Sequence, residues 1–278
     1  MKALKLIIPV ILLFVYSCVQ PKNQPSIRFP YEWIGEQGYG GDIDQQDIPE
    51  PSGICFHHKR NTLFVVSDEG EIVEIKTDGT PVFRKKIPGD LEGLALNPET
   101  GLLYIVKEGE DIIMEFDPDE WEITREFPLN RKYKDDPNYI KKQKAGHDNG
   151  LESIAFVSDP QHPEGGTFYV GNQWDPPCIM EVLIPLKSSN KDITEARILR
   201  VLPFKLDDVS AMYYDSNTGI LNVVSDADNI LVELTLDGKL INEYAFLGND
   251  QEGLTRDDKG YLYIAQDIGG IIKVKDLR

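Results

Sequence analysis

An all-β, five-bladed β-propeller, its ring closed by an N-terminal strand, is the fold this sequence predicts, on three observations. One strand–turn–strand pattern recurs five times, and each copy opens on the same kind of three-residue motif. No stretch of ten or more residues carries amphipathic helical periodicity. The clearest pair of copies is Val65–Ile75 and Val223–Leu234, which run on into the Asp-Gly turns Asp78-Gly79 and Asp237-Gly238. The same pattern returns in Leu103–Phe116, Phe168–Val182 and Leu262–Val274. The opening motifs are Ser52-Gly53-Ile54, Glu92-Gly93-Leu94, Glu152-Ser153-Ile154, Ser210-Ala211-Met212 and Glu252-Gly253-Leu254, at spacings of 40, 60, 58 and 42 residues. Units of this length, with about four short strands and tight turns such as Asn97–Gly101, have the size of propeller blades.

Taken in chain order, the first element is an address. Two lysines in Met1–Lys5 precede the apolar run Leu6–Tyr16, too short to span a bilayer about 30 Å thick as a helix. The run ends in Val15-Tyr16-Ser17-Cys18, which resembles a bacterial lipobox. Residues 1–17 are therefore expected to be a signal peptide, Cys18 the lipidation site, residues 18–25 a polar tether and residues 26–278 one propeller domain. The expected location is the cell envelope, outside the cytoplasm, and the outer membrane facing the periplasm in a Gram-negative cell. Several acyl chains on one residue anchor firmly where a single chain is marginal.

Next comes Ile27–Trp33, which resembles the outer strands Val82–Lys86 and Leu240–Phe246. The last unit has room for only three strands, so this segment is expected to supply its fourth and remove a free sheet edge. Within the ring, Cys55 lies in an apolar run and reads as a buried thiol; its pairing with Cys178 stays open.

The chain has 278 residues, 41% of them apolar, with 29 basic and 47 acidic side chains and a formal charge of −18. It can fill a core, and its pI near 4.6 argues against nucleic acid, whose phosphates need clustered Lys and Arg. The expected partners are a small molecule or protein at one face and the membrane through the lipid anchor only, with the chain a monomer.

In a propeller, the start of each innermost strand lies near the end of the second strand. Ser52, Glu92, Glu152, Ser210 and Glu252 should therefore meet Asp68, Lys107-Glu108, Asn172-Gln173, Asp226 and Gln266-Asp267 at one mouth of the channel. Three glutamates roughly 8 Å apart, at an effective dielectric near 20, repel by about 2 kcal/mol per pair. A cation, a proton, Lys107 or backbone N–H donors from the neighbouring blade should offset that repulsion. Hard oxygen donors favour Ca²⁺, with Mg²⁺ second, and the expected ligands are Glu92, Glu152, Glu252, Asp226 and Asp68. Asn172, Gln266, Lys107 and Trp174 are expected to line the mouth as ligand-binding groups. The insertion Arg131–Lys144 places six basic residues in fourteen positions on the same face, either as a lid for an anion or as a solvated loop. His57, His58, His147 and His162 show no metal spacing, and no nucleophile elbow or phosphate loop is present.

The motifs Pro51–Ile54, Asp90–Ala95, Asn149–Ala155, Asp208–Met212 and Asp250–Leu254, with the Val-Val-Ser-Asp strand ends, resemble the SdiA-regulated (YjiK-like) family of bacterial β-propellers. The resemblance implies an exported or membrane-attached propeller, some members being linked to calcium responses, with no established reaction. Two functions follow as expectations. One is a lipid-anchored binding or scaffold protein with a Ca²⁺-type cation at the mouth. The alternative is a calcium-dependent hydrolase, a lactonase or a phytase-like phosphoesterase, that uses the mouth carboxylates. Whether the chain is an enzyme stays open at this stage.

Overall fold

The computed structural model describes residues 25, 27–34, 41–142, 150–187 and 194–278. The expected signal peptide, the expected lipidation site Cys18 and most of the expected tether lie outside them, as do Lys144 and His147. Among the described residues every regular element is a strand. The short β1 (Tyr31–Trp33) comes first. It is followed by β2 (Pro51–His57), β3 (Thr62–Ser67), β4 (Glu71–Lys76) and β5 (Pro81–Lys86), which form one antiparallel meander. A second meander holds β6 (Leu91–Leu96), β7 (Leu103–Lys107), β8 (Ile112–Asp117) and β9 (Glu122–Asn130). A third holds β10 (Leu151–Ser158), β11 (Gly166–Asn172), β12 (Cys178–Leu183) and β13 (Ala196–Val201). Then come β14 (Ala211–Asp215), β15 (Ile220–Ser225), β16 (Ile230–Leu234) and β17 (Leu240–Ala245), and finally β18 (Gln251–Arg256), β19 (Tyr261–Gln266) and β20 (Ile271–Asp276).

Hydrogen bonding groups these strands into three four-stranded sheets and one of eight. The eight-stranded sheet joins the second and third meanders where β9 and β13 run parallel, with Leu129 opposite Ala196 and Asn130 opposite Arg197. The N-terminal strand pairs antiparallel with β20, Tyr31 opposite Asp276 and Trp33 opposite Val274. Residues 41–43 complete the same edge, where Ile43 N–H donates to Ile271 O and Lys273 N–H donates to Gly41 O. Just upstream, Phe29 and Ile27 exchange backbone hydrogen bonds with Ala245 of β17, so one segment staples two neighbouring sheets. The protein is a β-propeller.

The apolar core lies between sheets, in five clusters. In one of them Phe64 and Val66 of the first meander meet Ile105 and Phe116 of the second. Another sets Phe29, from the N-terminal segment, against Val224, Leu254 and Ile264. The middle strands are covered on both faces, as in Ile230–Leu234, which is buried throughout, its one charged residue Glu233 included. The outer strands β5 and β17 are largely exposed. Cys55 and Cys178 are free, buried thiols in different clusters. Burial pushes both thiols up, that of Cys178 to about 12.

A basic side chain reaches across each junction between neighbouring meanders. Arg60 holds the buried Glu74 with two hydrogen bonds, at 2.9 and 3.0 Å, and Asp119 at 2.8 Å. Arg125 grips Glu115 and donates to Pro185 O, and Arg200 binds Glu181 and donates to Leu236 O. Arg278 bridges Asp276 to Glu233, and Lys273 donates to Thr77 O. The recurring glutamate of the third strand is thus an anchor, and its partner arginine supplies the lateral link.

The innermost strands β2, β6, β10, β14 and β18 pack each against the next, and β18 returns to β2. The second motif residue makes this possible. A Cβ on Gly93 would lie 2.7 Å from Ser153 Cα and 2.7 Å from Ile154 N, both backbone atoms of the neighbouring strand. Gly53 and Gly253 face backbone just as closely, and the remaining positions hold the small residues Ser153 and Ala211. Gly93→Ala is therefore expected to destabilise the protein by about 1–3 kcal/mol, as an overpacked core does, read as a lower urea midpoint with unchanged slope.

Candidate functional site

Four of the five innermost strands begin with a local irregularity. The pairing register shifts between Pro51 and Ile54, Leu91 and Leu94, Leu151 and Ile154, and Gln251 and Gly253. A bulge of this kind re-aims a side chain, and here it delivers the first motif residue to the channel mouth. A second regularity fixes the opposing group. The residue two before each motif accepts a backbone hydrogen bond from the residue just after the second strand. Glu50 O accepts from Asp68, Asp90 O from Glu108, Gly150 O from Gln173 and Asp250 O from Asp267. In the remaining unit the Asp208 carboxylate takes this role, accepting from the Asp226 N–H at 3.1 Å.

The result is a cavity of about 630 Å³ lined by Asp68, Asp90, Glu92, Glu108, Glu152 and Glu252, with Ser52, Gln173 and Asp267 among the remaining groups. Oxygens of Glu92, Glu152 and Glu252 lie within 4.8 Å of one another. Two further triads, Asp68–Asp90–Glu92 and Glu50–Asp68–Asp267, meet the same limit. The three glutamates are thus closer than the roughly 8 Å expected from blade geometry. At about 5 Å and an effective dielectric near 20, each ionised pair repels by about 3 kcal/mol. Three such pairs approach the whole net stability of a domain, about 5–15 kcal/mol.

The same crowding favours the protonated forms of the glutamates. Burial is the largest cause raising the Glu92, Glu152 and Glu252 carboxyls well above the ordinary range, and the surrounding carboxylates add to it. Glu152 shares a hydrogen bond with Glu108, and Glu92 shares one with Asp68. Asp226 is pushed up to about 7 by burial and by its hydrogen bond with Asp208. Ser52 Oγ donates to Asp68 Oδ1 at 2.5 Å, whereas Ser210 Oγ donates to Gln251 O at 2.7 Å and so serves the backbone.

Of the five expected cation ligands, Glu92, Glu152, Glu252 and Asp68 come together at the mouth. Asp226 lies beside them, engaged with Asp208. Asn172 is buried, and its Nδ2 donates to Trp174 O at 2.5 Å and Pro176 O at 2.8 Å, fixing that loop. Gln266 Oε1 accepts from Asn249 N–H, and Lys107 Nζ pairs with Glu110 at 2.7 Å. These three stand one position before Gln173, Asp267 and Glu108, the residues that line the mouth. Trp174 is 42% exposed. The basic insertion is anchored to the same region: Ile140 is buried, Lys141 N–H donates to Asp175 O, and Arg131 pairs with Asp111. Asp90, Glu108 and Asp208 were not among the expected ligands. Their signal is an acidic residue two before the motif or one after the second strand, a position the charged loops of any surface also fill.

The chain matches the SdiA-regulated family over residues 32–267. It belongs to that family. Among solved structures it is similar to Myxococcus xanthus glutaminyl cyclase, with a TM-score of 0.59 at 11% identity, covering 89% of this chain and 97% of that one. A protein of unknown function from Bacteroides caccae is similar at a TM-score of 0.46 and 14% identity, covering 78% of this chain and 70% of that one. The likeness to the cyclase is one of fold.

Because the mouth carboxyls bind protons more tightly when folded, the sign of the pH dependence follows. Stability in chelator is highest below the unfolded carboxyl range and falls as pH rises through the folded values. For Asp226 that window runs from about pH 4 to about pH 7. Urea midpoints across this range should fall with rising pH, and Glu152→Gln should flatten the fall by removing one buried acid.

Proposed function

We propose that this SdiA-regulated protein is an exported, lipid-anchored propeller of five blades that acts as a binding or scaffold protein. Its recognition face is the acidic mouth, with Ca²⁺ held by Glu92, Glu152 and Glu252 and flanked by Asp68 and Asp226. The observation that carries this reading is the convergence of three glutamates from three different strands to within 4.8 Å. The donors are hard carboxylate oxygens at a mouth of about 630 Å³, which suits the irregular, six- to eight-oxygen shell of Ca²⁺ better than the strict octahedron of Mg²⁺. A cation there would leave coordination positions open toward solvent, where a small molecule or an acidic group of a protein partner could complete the shell. Trp174 and the exposed Lys132, Lys134 and Lys142 stand on the same side of the molecule as the loop that Asn172 fixes. Five opening motifs, five apolar clusters among the described residues and the circular contact of the innermost strands support the count of five.

A second reading has one observation in its favour. Burial and the hydrogen bond with Glu108 raise the Glu152 carboxyl, the direction a general acid requires. In a calcium-dependent hydrolase of lactones or phosphate esters, the cation would supply Lewis acidity. Glu152 would donate the proton, and Lys141 and Lys142 would attract an anionic substrate.

Thermal unfolding of the soluble body, from Val19 onward, in calcium, magnesium or chelator tests the first reading. Calcium at about a hundred times its dissociation constant should stabilise by about 2.7 kcal/mol, more than magnesium does, and Glu152→Gln with Glu252→Gln should abolish the shift. No shift with either ion would contradict it. Turnover of lactones or phosphate monoesters that vanishes in Glu152→Gln would favour the hydrolase.

A further inference from the structure

The channel does not run open from the acidic mouth to the far face. At mid-height Gly53, Gly93 and Gly253 bring the innermost strands together, and Ile54, Leu94, Ile154, Met212 and Leu254 leave a gap of only about 10 Å³. Beyond this constriction lies a second, separate cavity of about 410 Å³. The same five apolar side chains form its closed end. Its walls include Phe56, Phe156, Tyr213 and Tyr214, contributed by β2, β10 and β14. Its open rim is polar, with Ser158, Asn217, His58 and Arg256.

We propose that this far-face cavity is a second ligand site, for an uncharged, planar ring molecule of about two fused rings that carries a hydrogen-bonding group at one end. The size follows from volume, since an apolar cavity of about 150 Å³ accommodates benzene and this one is larger by more than twofold. The orientation follows from the lining, apolar at the closed end and polar at the rim, the arrangement that buries a ring while its polar end stays hydrogen-bonded. Neutrality follows from the charges. Arg256 is already paired with Asp215 at 3.2 Å and Asp276 at 3.7 Å, and His58 Nδ1 meets Asp258 at 2.7 Å. Asp257 also lines the cavity, its Oδ2 accepting from Tyr263 OH at 3.0 Å. The rim charges are thus engaged with one another, Asp258 with His58, Arg256 with Asp215 and Asp276, and Asp257 with Tyr263, so neither an anion nor a cation meets a free counter-charge there. Nothing in this site depends on the carboxylates of the mouth or on a cation there.

The test uses 2-naphthol as the probe, titrated into the soluble body by calorimetry and ligand-observed NMR. Saturable binding at one site per chain is expected, with 2-naphthoate at least about tenfold weaker. Ser158→Trp and Asn217→Trp each place a bulky ring at the rim, at partly or fully exposed positions that a folded chain tolerates. Each should weaken 2-naphthol by about tenfold or more and leave thermal stability unchanged. Glu152→Gln, calcium and chelator should leave 2-naphthol binding as it was, which separates this site from the mouth. Absence of saturable binding at millimolar probe would overturn the proposal. So would equal affinity for 2-naphthoate, binding untouched by both tryptophan variants, or binding lost on Glu152→Gln.

Discussion

The close approach of the innermost strands is the constraint on which the rest of the structure depends. Gly53, Gly93 and Gly253 admit a neighbouring backbone where any Cβ would collide, and Ser153 and Ala211 are the next smallest options. This contact sets the radius of the channel. The narrow radius has two consequences at once: the side chains one position later close the channel at mid-height, and the side chains one position earlier are crowded into the mouth. Wider spacing would relieve the glutamates, but it would also open the constriction and part the apolar clusters between the sheets.

Crowding gives the mouth its chemistry. Glu92, Glu152 and Glu252 cannot all be ionised and bare at about 5 Å without losing most of a domain's stability. The chain answers with carboxyl pairs, Glu108–Glu152, Asp68–Glu92 and Asp208–Asp226, whose burial and hydrogen bonds favour holding protons. A divalent cation would do the same task with stronger attraction and would release those protons. The outer part of the molecule works by the opposite logic. There each buried glutamate has its own arginine, Glu74 with Arg60 and Glu115 with Arg125, whereas the mouth carboxyls face one another.

Much of the fold was legible because it repeats. The repeated strand–turn–strand pattern, motif spacing and Asp-Gly turns identified the strands, and the resemblance of Ile27–Trp33 to outer strands located the closing segment that pairs with β20. The glutamates of the mouth were legible for the same reason. What lay beyond reach was a matter of one residue. Strand side chains alternate with period two, and the bulge at the motif decides which of two consecutive residues faces the channel. Hence Gln173, Asp267 and Glu108 line the mouth, while Asn172, Gln266 and Lys107 turn to loop and neighbour contacts. The glutamate–arginine links were unreadable because the partners come from separate strands or turns, as with Arg278 and Glu233. The far-face cavity was equally hidden, since its walls are ordinary strand residues brought together only by ring closure.

The most direct measurement is a crystal structure of the soluble body grown with calcium, with the ion identified by its anomalous scattering. A site among Glu92, Glu152 and Glu252, with oxygen distances of about 2.3–2.6 Å, is the predicted result. Glutamates hydrogen-bonded to Glu108 and Asp68, with no ion between them at saturating calcium, would contradict it and leave the mouth as a proton-sharing ring.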